Sequence, residues 1–304
     1  MTRDWEATFR EWSKPSSETE EQKYKNAERM IGDAIRGSAT LGGKDIRVFA
    51  KGSYRNNTNV RQESDVDVVV VCREPFYADF NFADYGGDAL ELTDSPYGYA
   101  QLKNDAEAAL VTKFGRSGVV RGNKALEIHA NSYRVDADVV ACFELRRYHK
   151  QSLFGSVRFP YAVGTRFYSD SSEQIDNWPD QQFENGVGKN NATGNRYKFI
   201  VRALKRLRNE MAEHNVLAAK PIPSYLIECV VYNAPNTCFG HSRYSDDMRA
   251  VIASVWRGTQ TDDACEEWGE VNEMKYLFWP RQPWTRAVTH AFLEAAWGYV
   301  EFTG

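Results

Sequence analysis

The stretch that most constrains the fold is SDVDVVVVC at residues 64–72, in which two aspartates precede four consecutive valines. Valine is β-branched and favours extended backbone, so the stretch predicts a strand within a mixed α/β core. Residues two apart in a strand share a face, so Asp65 and Asp67 project together with Cα atoms about 6.6 Å apart. Two such carboxylates repel each other unless a cation lies between them, and oxygen-only ligands suit Mg²⁺. The stretch therefore predicts a metal-binding strand.

A second feature, Gly52-Ser53, follows the short β-prone stretch at residues 46–50. The glycine permits close backbone approach, and the serine hydroxyl with the following N–H groups can bind a phosphate at a helix start. A third carboxylate is expected on a neighbouring strand, and Asp138 in VDADVVA supplies it. Asp136 lies two residues earlier on the same face and either assists Asp138 or merely flanks it. Together these residues predict a phosphate site and a two-metal site of the kind that phosphoryl transfer uses.

Each motif taken alone also has a structural explanation. An Asp-x-Asp at a strand end is often a solvated edge, and a Gly-Ser pair by itself is almost uninformative. The combination is more specific, because Gly-Ser, a turn containing Arg55 and Thr58, the two aspartates, the valines and the later Asp-Val-Val occur in one order. We therefore favour the catalytic interpretation.

The hydrophobic periodicity predicts two domains with a boundary near residue 180. Residues 1–180 are predicted to form a mixed α/β core with an N-terminal helix, and residues 181–304 a mainly helical domain. Helices are predicted at 17–36, 97–113, from 195 onward, 224–232, 245–256 and 285–299; strands are predicted at 46–50, 65–72, 118–120, 125–129 and 133–142, with more between 156 and 178.

The composition and the motifs that are missing restrict the classes of protein to which this sequence can belong. The formal charge of -4 disfavours a protein that coats long nucleic acids, because such proteins need excess Lys and Arg to displace counterions. No apolar run is long enough for a membrane span and the N-terminus is too charged for a secretory signal, so we expect a cytosolic protein without membrane contact. The five scattered cysteines indicate neither a zinc site nor a disulfide framework. No P-loop, H-E-x-x-H or G-x-S-x-G motif supports a rival chemistry.

At this point the residues resemble a known family. KGSYRNNTNVRQESDVDVVVVC is similar to the nucleotide-binding motif of the polymerase-β-like nucleotidyltransferase superfamily, and specifically of the bacterial relatives of cGAS and oligoadenylate synthase, the CD-NTases of the CdnE-like clade. RVDADVVACFELRRY, NGVGKNNATGNRYKFIVRALKRLR and PSYLIECVVYNAP extend the resemblance through most of the chain. Ala141 departs from it, since relatives commonly have proline after Asp-Val-Val. The resemblance implies an α/β (α+β) core with a mixed sheet, followed by a helical oligoadenylate-synthase-like lobe.

The resemblance also implies residue roles. Ser53 would bind triphosphate, Asp65, Asp67 and Asp138 would hold two Mg²⁺ ions, with Mn²⁺ as an alternative, and Asp138 would help to activate the attacking 3′-hydroxyl. In the helical lobe Lys198 would bind triphosphate, Ser224 would contact phosphate and Tyr225 would stack on a base. Without the resemblance these three would be a solvated cation, a helix N-cap and a core aromatic.

Two further nucleotide-binding residues are predicted. Lys205 lies seven residues after Lys198 and so falls on roughly the same side of a helix, where it would add positive charge for a triphosphate. Asn177 is a candidate reader of base edges, because relatives appear to use an asparagine in this region.

The function that the resemblance implies is template-independent synthesis of a cyclic di- or oligonucleotide second messenger from nucleoside triphosphates, with pyrophosphate release, in antiphage (CBASS) signalling. Expected partners are ATP and UTP, operon-encoded regulators and an effector that responds to the product. The narrower expectation is a cyclic dinucleotide containing U or A. Two alternatives remain open at this stage: transfer of a nucleotide onto RNA or protein, and a catalytically inactive nucleotide-binding module.

Overall fold

The computed structural model describes residues 3–60, 65–80, 90–153 and 156–302. Its α-helices are α1 (Trp5–Trp12), α2 (Glu18–Arg36), α3 (Gly52–Asn56), α4 (Tyr99–Phe114), α5 (Pro179–Ala192), α6 (Arg196–Glu213), α7 (Ser224–Asn233), α8 (Tyr244–Gly258) and α9 (Arg286–Tyr299). Its strands are β1 (Ile46–Ala50), β2 (Val66–Phe80), β3 (Val119–Arg121), β4 (Leu126–Ile128), β5 (Ala137–Tyr148), β6 (Gln151–Leu153), β7 (Ser156–Arg158), β8 (Tyr161–Tyr168) and β9 (Gln174–Asn177).

The chain forms two compact units. The sheet unit comprises Ser17–Tyr54 and Ser64–Asp180, and the helical unit comprises Met1–Ser16, Arg55–Glu63 and Gln181–Gly304. A mixed sheet followed by a helical region was the fold class predicted from the sequence, and the structure confirms it.

The sheet has the strand order β1-β2-β5-β4-β3. Strands β2 and β5 are parallel, and the other pairs in this sheet are antiparallel. Because β5 is long, its first residues pair with β4 and its later residues pair with β8, which in turn pairs with β9. Strands β6 and β7 form a separate antiparallel pair. The parallel β2–β5 pair therefore lies at the centre of the sheet.

The valine run is buried on both faces of this sheet. Val66, Val68 and Val70 belong to a core cluster that includes apolar residues of α2 and α4. Val69 and Val71 point to the other face and pack with aromatic residues of β1 and β8. Because both faces of this central strand are buried, its sequence is a continuous apolar run. The alternation of side chains also leaves Asp67 on the face opposite α2 and α4.

In the helical unit, the core surrounds α6. The buried residues Ile200, Leu204 and Leu207 belong to one cluster with apolar residues of α7, α8 and α9. Phe9 of α1 is completely buried in the same cluster. The apolar side of α6 thus faces the core of the helical unit.

The compact units differ from the predicted division at residue 180 in two segments. The prediction assigns residues 1–16 and 55–63 to the first domain, whereas the described residues among them belong to the helical unit. Phe9 explains the first segment, because burial of its ring in the helical core stabilises that docking. The second segment is held by hydrogen bonds to α6 that sequence patterns cannot show.

Two helices were not predicted. Helix α1 begins after Asp4, whose side chain accepts a hydrogen bond from the Ala7 N–H. Helix α5 carries Gly186 and Gly188, which are poor helix formers, so its local propensity is weak. The other predicted helices and strands are present, with shifts at their ends; β5, for example, begins at Ala137 rather than at residue 133.

Two predictions from composition can also be compared with the structure. All five cysteines are free thiols, and four of them are buried: Cys72, Cys142, Cys229 and Cys265. Within the described ranges, no helix is both long and apolar enough to traverse a bilayer.

Helix α2 generates a stability prediction. Ser17 and Glu20 form a capping box, in which the Ser17 hydroxyl accepts from the Glu20 N–H and the Glu20 carboxylate accepts from the Ser17 N–H. We expect Ser17→Ala to lower the free energy of unfolding by about 1 kcal/mol, because an N-terminal N–H loses its partner. Glu20→Gln, which can still complete the box, should cost less. Equal losses for both variants in denaturant titrations would contradict this explanation.

Candidate active site

The register of the central strands brings two of the predicted carboxylates together. Asp67 on β2 is directly paired with Asp138 on β5. Paired residues of parallel strands point to the same face, so both side chains project from the sheet face opposite α2 and α4. Asp65 lies two residues before Asp67, at the N-terminal edge of β2, and its electrostatic effect reaches Asp138. The structure thus brings Asp65, Asp67 and Asp138 into one acidic site.

Two carboxyl groups of the acidic site, those of Asp65 and Asp138, have raised pKa values. Burial, followed by the charges of Asp65, Asp67 and Glu127, raises the pKa of Asp138 to about 6, and Lys51 acts in the opposite direction. The pKa of Asp65 is also raised, by burial first and then by neighbouring carboxylates. Such shifts mean that ionising the whole set costs free energy in the absence of a cation.

Sequence reasoning missed Glu127. Strand β4 pairs with β5 so that Glu127 is directly opposite Asp138, which places a fourth carboxylate on the same face. The signal was present in the alternation of Leu126, Glu127 and Ile128, in which only the glutamate is exposed. Finding it, however, requires the β4–β5 register, which the local pattern does not specify.

Asp136, by contrast, has a structural partner. Its carboxylate accepts a hydrogen bond of 2.6 Å from the Ala130 N–H, in the loop after β4. Its carbonyl oxygen accepts from the Val66 N–H at the start of β2. Of the two roles left open, flanking Asp138 is the one that these contacts favour.

The carboxylates of the acidic site are chemically suited to binding a divalent cation. All of the acidic groups supply oxygen ligands. Burial and neighbouring carboxylates raise the pKa values of Asp65 and Asp138, and a cation would relieve the charge repulsion between these groups. Across the described ranges, however, no three His, Cys, Asp or Glu side chains already form a metal-ligating group. The assignment of Asp65, Asp67 and Asp138 as metal ligands therefore stays a prediction.

Gly52 is required by the approach of α3 to the acidic site. Its φ is +67°, and a Cβ atom built on it would lie 2.7 Å from the Asp67 Oδ2. The Lys51 N–H also donates to the Asp67 carbonyl oxygen at 2.8 Å. The expected close backbone approach is confirmed, and it occurs against a predicted metal ligand.

Ser53 follows as the second residue of α3. Its side chain is partly buried, and no described residue hydrogen-bonds to its hydroxyl. The hydroxyl therefore has capacity to donate to an anion beside Asp67, as the prediction requires.

The two lysines of α6 differ in their surroundings. Lys198 is partly buried, and its ammonium lies 5.9 Å from the centre of the Phe183 ring, with no carboxylate partner in the described part of the chain. Burial, and then the charge of Arg202, lowers its pKa. Arg55 lies over the same ring at 4.9 Å, which concentrates positive charge there. An anion at this place would stabilise the charged form of Lys198.

The surroundings of Lys205 count against its predicted role in triphosphate binding. Its side chain is only 1% exposed, and its ammonium donates to the Glu228 carboxylate at 2.5 Å and to the Thr58 carbonyl oxygen at 3.0 Å. A cation in this buried ion pair is not available to a triphosphate. The spacing of seven residues predicted that Lys205 lies on the same side of α6 as Lys198, which the structure shows. The spacing could not show that other residues cover α6 at Lys205.

Ser224 and Tyr225 begin α7. The Ser224 hydroxyl accepts from Arg208 at 2.7 Å. Tyr225 donates to Glu270 at 3.0 Å, and its partly buried ring meets Trp284 edge to face. Burial, and then Cys229 and Glu270, raises the pKa of Tyr225 well above its ordinary value, so its hydroxyl stays a neutral donor. These contacts hold both side chains in place, and they leave the predicted nucleotide contacts untested.

Asn177 is the last residue of β9 and pairs with Thr165 of β8. Its side chain is partly buried and makes no hydrogen bond to any described residue. Nearby, a cavity of about 250 Å³ is lined by residues that include Phe49, Val71 and Thr165. Val71 lies four residues along β2 from Asp67, or roughly 13 Å, so this cavity is distinct from the acidic site.

The central parallel pair with its carboxylates, and the helical region that follows, have the architecture of a metal-dependent nucleotidyltransferase. Residues 36–158 match the family model described as a nucleotidyltransferase domain. Residues 184–301 match the model of the cGAS/DncV-like nucleotidyltransferase C-terminal helical domain. Members of this superfamily generally use divalent metal ions.

Similar proteins cover almost the whole chain. A cyclic dipyrimidine nucleotide synthase, CdnE, of Legionella pneumophila is 48% identical over 302 residues, which cover 99% of each chain. The structure of Elizabethkingia meningoseptica CdnE cyclic dinucleotide synthase with GTP and Apcpp is 36% identical, with a TM-score of 0.80 over 99% of this chain and 100% of that one. The structure of Rhodothermus marinus CdnE c-UMP-AMP synthase with Apcpp and Upnpp is 28% identical, with a TM-score of 0.83 over 98% and 97%. The chain belongs to the cGAS/DncV-like nucleotidyltransferase family.

The close contact at Gly52 predicts a specific loss. We expect Gly52→Ala to lower the free energy of unfolding by about 1–3 kcal/mol, because alanine is strained at this φ and its Cβ would displace the Asp67 carboxylate. The stabilisation that Mg²⁺ gives in thermal unfolding should fall as well. Gly43→Ala is the matched control, since a Cβ at Gly43 has no atom within 4 Å. If Mg²⁺ stabilised Gly52→Ala as much as it stabilises wild type, this explanation of the glycine would be refuted.

The raised pKa of Asp138 predicts a pH-dependent stability. The folded protein holds this proton up to pH about 6, whereas an unfolded aspartate releases it near 3.9, so stability is lost as pH rises between these values. Without divalent ions, Asp138→Asn should therefore be more stable than wild type at pH 7.5, by about 1 kcal/mol after allowance for solvent screening, or about 2–4 °C. The difference should largely disappear at pH 4. An advantage that does not change with pH, or that the exposed control Asp263→Asn shares, would contradict the assignment.

Proposed function

We propose that the protein is a template-independent enzyme that joins nucleoside triphosphates into a cyclic di- or oligonucleotide and releases pyrophosphate. The observation that carries this proposal is the pairing of Asp67 with Asp138 at the centre of the sheet, with Asp65 and Gly52-Ser53 beside them. The proposal is supported by membership of a family whose relatives along the full chain are named as cyclic nucleotide synthases.

The reaction is a nucleotidyl transfer in two steps. A 3′-hydroxyl oxygen of one nucleotide forms a bond to the α-phosphorus of another, and the bond from that phosphorus to the β-phosphate oxygen breaks, so pyrophosphate leaves. A second transfer closes the ring. Asp138 would help to activate the attacking hydroxyl, whose proton must leave as the new bond to phosphorus forms.

Asp65, Asp67 and Asp138 would hold two divalent ions, Mg²⁺ or Mn²⁺. When bound, these ions polarise the attacking hydroxyl and the α-phosphate and neutralise charge on the leaving group. Ser53 donates a hydrogen bond to the triphosphate from the start of α3. Lys198 supplies charge to the same group, and this suits an ammonium without a carboxylate partner among the described residues. Ser224 contacts a phosphate.

The bases are a separate question, because relatives of this fold differ in them. The Legionella relative is named a cyclic dipyrimidine synthase, the Elizabethkingia relative a cyclic dipurine synthase, and the Rhodothermus relative a cyclic UMP-AMP synthase. At 48% identity the first supports a pyrimidine-containing cyclic dinucleotide, with UTP and ATP as candidate substrates. Tyr225 stacks on a base, which tolerates any base, and Asn177 reads a base edge with its amide.

A cyclic nucleotide product implies an effector that responds to it. We propose that the product acts as a second messenger in antiphage (CBASS) signalling, where operon-encoded regulators control the enzyme and an effector responds to its product. Transfer onto RNA or protein, and an inactive nucleotide-binding module, are not favoured, because relatives over the full chain are named as synthases of cyclic nucleotides.

The proposal is tested by incubating the protein and Mg²⁺ with the four labelled triphosphates, singly and in pairs. We expect pyrophosphate release and a phosphatase-resistant cyclic product that contains a pyrimidine. Asp67→Asn should reduce the rate by roughly 10²-fold or more, since its carboxylate acts in the transition state. The exposed Asp263→Asn should retain the wild-type rate. A linear product, turnover only with added RNA, or a wild-type rate for Asp67→Asn would each overturn part of the proposal.

A further inference from the structure

The groups of the candidate active site form a row across the sheet unit. Helix α3, which carries Gly52-Ser53, lies beside Asp67, because a Cβ atom on Gly52 would be 2.7 Å from the Asp67 Oδ2. Asp67 is paired with Asp138, and Asp138 is paired on its other side with Glu127 of β4. Paired residues share a face, and neighbouring strands are about 4.8 Å apart. Glu127 therefore lies one strand beyond Asp138, on the side away from Ser53.

The surroundings of Glu127 do not explain why a carboxylate is present there. Like charges directly opposite each other on paired strands are destabilising, yet Glu127 is opposite Asp138. No described residue donates a hydrogen bond to Glu127 or forms an ion pair with it. Three other carboxylates of the sheet unit, by contrast, have arginine partners at 2.7 or 2.8 Å: Asp79 with Arg147, Asp176 with Arg166, and Asp180 with Arg47. The described contacts thus give Glu127 no stabilising role in the fold.

The Glu127 carboxylate is also accessible. Its side chain is exposed, whereas the neighbouring Leu126 and Ile128 are buried on the other face. Gly122 lies in the turn between β3 and β4, and a Cβ atom built there would be 3.2 Å from the Glu127 Oε1. A side chain at position 122 would crowd this carboxylate, so the glycine leaves it free to reach a ligand.

The geometry of nucleotidyl transfer indicates which part of the substrates would lie beside Glu127. The attacking oxygen and the leaving oxygen are roughly in line, on opposite sides of the α-phosphorus. In the proposed function Ser53 binds the triphosphate of the donor nucleotide, so the attacking 3′-hydroxyl approaches from the side away from Ser53. Glu127 lies on that side of Asp138. The attacking hydroxyl belongs to the ribose of the acceptor nucleotide, which carries a 2′-hydroxyl on the next carbon atom.

We propose that Glu127 binds the acceptor nucleotide by accepting a hydrogen bond from the 2′-hydroxyl next to the attacking 3′-hydroxyl. Carboxylate oxygens are strong acceptors for a hydroxyl group. The contact orients the ribose so that its 3′-oxygen faces the α-phosphorus, and Glu127 takes no part in the making or breaking of bonds. It also selects ribonucleotides over 2′-deoxyribonucleotides as acceptors. The inference rests on the proposed function, because that function supplies the donor and the acceptor.

The test isolates a single transfer by full-length protein with Mg²⁺. The donor is a 3′-deoxynucleoside triphosphate, which has no 3′-hydroxyl and so cannot act as acceptor. The acceptor is an α,β-methylene nucleoside triphosphate, which cannot act as donor because carbon replaces the oxygen that would leave. Formation of the linear dinucleotide then gives kcat/KM for a ribose acceptor and for its 2′-deoxy counterpart.

We expect wild type to lose roughly 10- to 100-fold in kcat/KM when the acceptor lacks the 2′-hydroxyl, which is the range for a lost hydrogen bond to a charged group. Glu127→Ala should lose as much with the ribose acceptor and should hardly distinguish the two acceptors, because either change removes the same contact. Glu127→Gln keeps a carbonyl oxygen as acceptor and should retain part of the preference. Equal rates of wild type with both acceptors, or additive losses from Glu127→Ala and the missing hydroxyl, would overturn the proposal.

Thermal unfolding separates substrate binding from a structural role. Without divalent ions, Glu127→Gln should be at least as stable as wild type, because it removes a like charge opposite Asp138. Glu173→Ala removes another exposed carboxylate of the sheet unit and should keep the wild-type preference for the ribose acceptor. If Glu127→Gln had a lower Tm and lost the same factor with both acceptors, Glu127 would have a structural role and the proposal would be overturned.

The assay also keeps this inference apart from the proposed function. If wild type forms no dinucleotide, the proposed function fails, and the inference fails with it. If wild type forms the dinucleotide but Glu127→Ala prefers the ribose acceptor as strongly as wild type does, the inference fails while the proposed function stands.

Discussion

The parallel pairing of β2 with β5 is the constraint on which the rest of the candidate site depends. It is the central pair of the sheet, buried on one face by α2 and α4 and on the other by aromatic residues of β1 and β8. A shift of one residue in this register would turn Asp67 and Asp138 to opposite faces. The same pairing that buries the valines therefore also places two carboxylates side by side, and burial together with repulsion from neighbouring carboxylates raises the pKa of Asp138.

The helical unit shows how surroundings decide the role of a charge. Lys198 and Lys205 lie on the same side of α6. The ammonium of Lys198 lies near the Phe183 ring, whereas that of Lys205 is enclosed by Glu228 and Thr58. The difference arises because Thr58, distant in sequence, covers the side of α6 at Lys205. A buried lysine needs its carboxylate partner, because removal of that partner would leave an uncompensated charge. A partly buried lysine without a carboxylate partner in the described part of the chain suits a phosphate instead.

Proteins similar to this chain are named for different products. Relatives that cover most of this chain are named as makers of dipyrimidine, dipurine and mixed cyclic nucleotides. The shared fold is thus compatible with different products. If Tyr225 stacks on a base as we propose, that stacking tolerates any base, so the choice of bases must depend on other residues. Asn177, with no hydrogen-bond partner in the described part of the chain, is a candidate of this kind.

Much of this protein could be predicted from its sequence, because local patterns report local physics. Alternation predicted that Asp65 and Asp67 share a face, the valines predicted a buried strand, and the glycine at residue 52 predicted a close approach. Tertiary structure alone decided what lies next to what. It placed Glu127 opposite Asp138, turned Asp136 to the Ala130 N–H, and enclosed Lys205 instead of leaving it for a nucleotide. Strand register and coverage by distant segments involve residues far apart in the chain, and no local pattern encodes them.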